Sequence, residues 1–202
     1  MEQHAIFLHM EGEKKRMRIR RKLEFVGKRI ILRKATLKDA KDIIENANDL
    51  AVSRYMYLPH PYTIKHAKKW INSQNKNEKN KYDFAIVLKS TGKVIGGVGL
   101  FIDKKEKDRA GIGYWLGKKY WKQGYGKEAA TLLIDFGFRK LKLHKINADV
   151  FGINKASQGL LESLGFKKEG ILREHYKNRF GRGYFDAIPF GLLKKEWKLR
   201  KR

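Results

Sequence analysis

Apolar residues along this chain repeat with two periods. Short runs rich in branched and aromatic residues occupy positions 29–33, 82–89, 93–103, 110–116 and 145–151, and each predicts a β-strand. In the last run Ile146, Ala148 and Val150 alternate with polar neighbours, the pattern of a strand with one buried face. Elsewhere the spacing is helical. Ala129, Ala130, Leu132, Leu133 and Phe136 share one face of a helix predicted from Tyr125 to about Leu141, and Ala67, Trp70 and Ile71 share a face of another.

Turn and cap chemistry divides these runs. Thr36 with Asp39 three residues on predicts a capping box, opening a helix that ends near Asn48. Pro59, Pro61 and Thr63 mark a loop and a second N-cap, residues 72–81 a polar connection, and residues 104–108 a charged loop. Ser90-Thr91-Gly92 is a hairpin-length turn joining two antiparallel strands. Gly152-Ile153-Asn154 ends the strand at 145–151, and a short helix over 155–163 closes with Gly165 as a left-handed cap. Gly96, Gly97, Gly99, Gly111 and Gly113 are many glycines for two strands, and predict a bulge or close approach of a ligand to the backbone. The fold class expected from this order is α/β (α+β).

One stretch carries candidate chemistry. Tyr120-Trp121-Lys122-Gln123-Gly124-Tyr125-Gly126-Lys127 lies between the strand at 110–116 and the helix it leads into. Two glycines let the backbone turn tightly and present N–H groups to a ligand. The first N–H groups of a helix lack partners within it and carry partial positive charge, so a phosphate suits that position, and Lys122 and Lys127 add to it. A Walker loop would need Ser or Thr after Lys127, where Glu128 stands. A dinucleotide fingerprint would need a third glycine where Ala129 stands, and no strand–helix–strand repeat precedes the loop. ATP and NAD are disfavoured.

Composition narrows the setting. At 202 residues the chain suits one domain, and no apolar run approaches the length of a membrane helix or forms a signal peptide, so a soluble, cytoplasmic protein with no membrane partner is expected. Zero cysteines exclude disulfides, thiolate metal sites and a cysteine nucleophile, and the scattered histidines have no ligand spacing, so no metal is expected. Lys plus Arg number 47 against 21 Asp plus Glu, a net charge of +26. That excess fits either an anionic partner such as RNA or a ribosome, or a lysine-rich proteome. Residues 14–22 hold seven basic residues and no acid, and read as a short edge strand, a solvated tail or an arm for a nucleic-acid backbone. Residues 1–27 are accordingly read as a basic N-terminal extension and 28–202 as the domain.

The segment around Gly124 and Gly126 resembles the acetyl-CoA pyrophosphate loop of the GNAT superfamily of N-acetyltransferases, and more narrowly its RimJ/RimL-type branch, with Trp121 at a position where the superfamily has Gln or Arg. Asn154-Lys155-Ala156-Ser157 followed by Leu164-Gly165-Phe166 is similar to the family's Asn-x-x-Ser…Gly-Phe segment. The stretches 168–174 and 191–197 resemble the branch's C-terminal strands, so the likeness spans roughly residues 29–197. It implies a mostly antiparallel twisted sheet of about six to seven strands, flanked by about four helices, with a splayed strand pair that holds acetyl-CoA.

The resemblance also implies roles. Cofactor contacts fall to Trp115, Leu116, Lys122, Gln123, Gly124, Tyr125, Gly126, Lys127, Asn154 and Ser157. Tyr55, Met56, Tyr57 and His60 lie where the family covers the acceptor, although a packed aromatic cluster also accounts for the first three. Ser157 is the candidate for orienting or protonating the departing thiolate, or bonds only its own helix. Two usual positions are vacant: Leu161 stands where relatives have a proton-donating Tyr, and Gly111 where the branch has a Glu base. Glu174 is then the preferred base, with His175 and Asp186 as alternatives; strand alternation lets only one of Glu174 and His175 point into the site. The implied activity is acetyl transfer from acetyl-CoA to a primary amine, as a monomer or homodimer, the acceptor being a protein N-terminus of ribosomal-protein type. Small-amine acetylation (polyamines, antibiotics) and a non-catalytic RNA- or ribosome-binding GNAT module are the alternatives.

Overall fold

The computed structural model describes residues 23–75 and 80–199. Its strands are β1 (Phe25–Val26), β2 (Ile30–Arg33), β3 (Lys81–Leu88), β4 (Val94–Ile102), β5 (Arg109–Leu116), β6 (Lys145–Phe151), β7 (Lys167–Lys168), β8 (Leu172–Lys177) and β9 (Tyr184–Leu193). Its helices are α1 (Ala40–Ala47), α2 (Leu50–Ser53), α3 (Ile64–Asn75), α4 (Tyr125–Arg139), α5 (Lys155–Leu164) and α6 (Lys194–Leu199). The nine strands form one sheet in the order β1-β2-β3-β4-β5-β6-β9-β7, with β8 also on β9. Every pairing among them is antiparallel except β5 with β6.

The expectation of six to seven strands and four helices undercounts for a physical reason. β1 and β7 are two residues each, and α2 is four, too short to leave a period in the sequence. β1 lies inside the stretch read as an extension: Phe25 pairs with Leu32, and Leu23 and Phe25 pack on the core. The basic run at 14–22 lies outside the described residues.

Strand alternation builds two cores, one on each face of the sheet. Along β3, Phe84 and Ile86 face α4 and α5 with Leu133, Ile134, Phe138 and Phe190, while Ala85 and Val87 face α1 and α3 with Ile43, Ala47 and Ile71. The glycines on β4 answer the second core. A Cβ on Gly97 would lie 2.6 Å from Trp115 Nε1 and 2.8 Å from the Trp70 ring, and one on Gly99 would lie 2.9 Å from the Phe101 ring. There the close approach is by aromatic side chains, and the bulge falls opposite, between Ile86 and Val87. Among the described residues no helix is long and apolar enough to cross a membrane.

The capping box at Thr36 forms, preceding α1 with a 3₁₀ turn, and Asp39 does double duty. It accepts from the Thr36 backbone N–H at 2.7 Å and takes both ends of the Arg33 guanidinium at 2.8 Å. Burial alone would raise the Asp39 carboxyl; the hydrogen bonds from Arg33 and Thr36 outweigh it and hold the group below its ordinary 3.8. A depressed folded value means the contribution is fully present above that ordinary value and is lost as pH falls through the lowered one. Asp39→Asn is expected to cost about 3 kcal/mol at pH 7, because Arg33 is left without its anion. Urea denaturation at pH 7 and near pH 3 checks this: the gap between wild type and variant should narrow at the lower pH.

Candidate active site

The sheet forks at one point. β5 and β6 run parallel but pair only from Arg109–Gly111 to Lys145–Asn147. Beyond that β5 stays with β4 along its whole length, and β6 stays with β9. Among the described residues the backbone edge of Ile112–Leu116 that faces β6 therefore has no strand partner, and a cleft opens with Gly111 and Asn147 at its vertex. Unpaired strand edges attract extended ligands that can complete the ladder.

The open end of the cleft is closed by the phosphate-suited loop. Trp121 Nε1 donates to the Leu116 carbonyl at 2.8 Å, so the residue that departs from the family pattern pins the end of β5. Lys122 and Gly124 both have left-handed backbone, with φ of 59° and 81°. Gly124 is the N-cap of α4 and, among the described residues, no side chain caps that end; the first helical bond runs from Glu128 N to Gly124 O. The N–H groups of Tyr125, Gly126 and Lys127 thus have no acceptor within the helix. Gly126 is buried between α5 and the end of β5, where a Cβ would sit 3.1 Å from Leu160 and 3.4 Å from Leu116. Lys122 and Lys127 are exposed.

Arg29 fixes this loop from the far side of the sequence. Its Nη1 donates to the Gln123 carbonyl at 2.8 Å, its Nε to Glu128 at 3.1 Å, its backbone N–H to Glu128 at 2.7 Å, and its guanidinium lies 4.4 Å over the Tyr125 ring. Gln123 in turn bonds the Lys119 carbonyl through Nε2. Sequence reading missed Arg29, which is 99 residues from Glu128, and nothing local signals it.

Trp115 and Leu116 stand on β5, but their side chains belong to the two cores, so only their backbone faces the fork. Across the cleft Asn154 caps α5, its Oδ1 accepting from Ser157 N at 3.1 Å, which leaves its amide N–H groups for a ligand. Ser157 does more than bond its own helix: its Oγ lies 2.9 Å from the Tyr114 hydroxyl on β5. Burial pushes that phenol up to about 12, with the Ser157 hydrogen bond pulling the other way, so Tyr114 keeps its proton throughout the physiological range. Leu161 is fully buried in the core. A tyrosine hydroxyl reaches the site after all, from the strand and not from the helix.

The opposite face of the fork carries aromatic rings. Phe151 at the end of β6 stacks on Tyr176 of β8 at 4.2 Å, and Tyr57 meets both at 5.6 and 5.7 Å. The cluster expected around Tyr57 exists, but its partners come from β6 and β8, whereas Met56 packs into the second core and Tyr55 is half-buried. His60 is exposed and meets Phe180 edge-on, at 6.3 Å. Around Glu174 the strand does not alternate. Leu172 pairs with Ala187 and Tyr176 with Phe185, so three residues bulge opposite one, and Glu174 takes a left-handed φ of 50°. Its backbone N–H bonds Asp186 at 2.9 Å, its side chain is exposed, and His175 packs edge-on against Tyr176 at 4.9 Å. The alternation rule that allowed only one of Glu174 and His175 into the site does not apply across this bulge, and Asp186 serves the bulge backbone.

A forked sheet, an uncapped helix N-terminus at its mouth and a hydroxyl pair between its arms define an acyltransferase of the kind that uses a phosphorylated thioester. The profile of the acetyltransferase (GNAT) domain family matches residues 29–167, and the chain belongs to that family. It is 39% identical over 174 residues to the uncharacterized N-acetyltransferase p20 of Bacillus licheniformis, covering 84% of this chain and 95% of that one. The GNAT-family acetyltransferase structure from Bacillus anthracis superposes with a TM-score of 0.76 at 25% identity, covering 86% of this chain and all of its own (100%). RimJ of Mycobacterium smegmatis, solved in complex with CoA-disulfide, shares the fold at a TM-score of 0.71 and 20% identity, covering 83% of each chain. The protein is an N-acetyltransferase, and acetyl-CoA is the co-substrate its family implies. The residues present fit that group: an open strand edge for an extended arm, and unpaired helix N–H groups beside Gly124 for its phosphates.

Proposed function

We propose that this enzyme acetylates a protein N-terminal amine. The observation that carries the reading is the open aromatic wall at the acceptor face, where Tyr57, 55% exposed, meets Phe151 and Tyr176. A shallow, open wall suits an extended polypeptide end better than a small amine, which a closed pocket would surround.

Each step falls to a part of the fork. Helix N–H groups at Tyr125–Lys127 and the basic side chains of Lys122 and Lys127 hold the pyrophosphate. Free N–H groups along Ile112–Leu116 hold the thioester arm and polarise its carbonyl oxygen, so no side chain is needed for the oxyanion. Ser157 Oγ, oriented by Tyr114, hydrogen-bonds the leaving sulfur and passes it a proton, which Ser157 regains from the Tyr114 hydroxyl and Tyr114 from water. Glu174, exposed on its bulge, takes the proton that the attacking amine gives up, through water.

The test compares acceptors in one assay of CoA release. A hexapeptide with a free N-terminus should be acetylated with kcat/KM at least about tenfold above spermidine, in line with one or more extra contacts along the wall. The same peptide with a blocked N-terminus and an internal lysine should be inert. Preference for spermidine would overturn the N-terminal reading and leave the acetyltransferase in place.

A further inference from the structure

The vertex of the fork holds an unanswered hydrogen-bond acceptor. Asn147 Oδ1 is buried and accepts no hydrogen bond among the described residues. A buried carbonyl without a donor loses its hydration with nothing in return, so native chains rarely keep one that nothing ever fills. The residue directly across from it is Gly111, and a Cβ built there would meet no heavy atom within 4 Å among the described residues. Paired residues of neighbouring strands point to the same face. The gap left by the missing side chain and the orphan carbonyl therefore adjoin.

The next residues on that face of β6 are Asp149 and Phe151, two and four positions on. Asp149 is exposed, and its charge bears on Tyr176, whose hydroxyl is raised by burial first and by Asp149 second. The aromatic wall beyond already attracts one cation, for the Arg179 guanidinium lies 5.5 Å over the Tyr57 ring. Two cations pair across the strands at the next position back on that face, Lys145 and Arg109, and Lys145 is neutralised by Glu169 at 2.7 Å. A carbonyl that needs a donor, a carboxylate and ring faces together make the environment of an organic ammonium.

We infer that the β5–β6 vertex is an ammonium subsite, in which Asn147 Oδ1 accepts an N–H of the acceptor and Asp149 supplies the balancing charge. The inference rests on the proposed acceptor face and names what that face selects: a primary ammonium next to an apolar or aromatic group. Asn147 is a positioning residue that aims the nitrogen lone pair once the proton has left. Gly111 is small because the amine occupies the space of a side chain.

Two probes separate hydrogen bonding from charge. Phenethylammonium has N–H donors, whereas its N,N,N-trimethyl analogue keeps charge and ring but has none. Ligand-observed NMR titrations on the full chain are expected to show the primary ammonium binding at least about fivefold tighter, the worth of one buried hydrogen bond. Asn147→Leu should bring the two affinities together, and Asp149→Asn should weaken both about tenfold. Asn147→Asp, which keeps size and acceptor, should tighten both and guards against a misfolded leucine variant. Equal wild-type affinities, or a preference unmoved by Asn147→Leu, would overturn the subsite. Acetyl-CoA calorimetry on the same samples keeps that result apart from a failure of the acetyltransferase reading, since only the latter would remove thioester binding.

Discussion

Acetyl-CoA binding is expected to fall at least about 100-fold in the double variant Gly124→Glu/Gly126→Glu, with the fold retained. Three effects act at once. A side chain at position 124 must adopt φ of 81°, which costs on the order of 1 kcal/mol for any residue but glycine. A side chain at position 126 meets Leu160 at 3.1 Å and displaces the end of α4 from α5. Two carboxylates then stand among the N–H groups that would hold a pyrophosphate, replacing attraction with repulsion. The 100-fold figure is about 2.7 kcal/mol, less than these effects sum to. Calorimetry with wild type and variant measures it, and circular dichroism confirms folding. The milder Gly126→Ala should weaken binding about tenfold, since Leu160 must give way by only a few tenths of an ångström. Micromolar binding that survives the double substitution would remove the loop from the site.

How far the sequence led depends on how local the determinant is. The bounds of β6, Lys145–Phe151, coincide with the alternating run, and Gly165 takes its left-handed cap with φ of 92°. Both follow from residues a few positions apart. The glycine turn that opens α4 was legible for the same reason: Gly124, Gly126 and the helix they open form one continuous stretch. The bulge at Glu174 was not, because it exists only through pairing with β9, and the alternation expected of an isolated strand fails there. Arg29 and Glu128 meet because β2 starts beside the N-terminus of α4, a fact of packing that no spacing encodes. Gly111 and Asn147 illustrate the limit most sharply. Gly111 read as the loss of a catalytic carboxylate until the strand register put an orphan carbonyl beside it.

The same limit hid the partner of Ser157, and the second large effect lies there. Ser157→Ala is expected to lower kcat about 10²–10³-fold while acetyl-CoA affinity changes little, the range for losing a group that delivers a proton in the transition state. Tyr114→Phe should lower kcat about tenfold by freeing the Ser157 hydroxyl to rotate. Burial pushes the Tyr114 phenol up to about 12, so it stays protonated at neutral pH, and its hydroxyl, 2.9 Å from Ser157 Oγ, is placed to orient that side chain. Two consequences separate that role from a structural one. The pH dependence of kcat in Tyr114→Phe should keep the wild-type shape, merely scaled down, and KM for acetyl-CoA should stay within about twofold. The double variant should be no slower than Ser157→Ala alone, since Tyr114 has nothing left to orient once the hydroxyl is gone. Fully additive losses would mean that Tyr114 acts on the reacting sulfur through a separate route, and an unchanged kcat in Ser157→Ala would place the proton donor elsewhere in the fork.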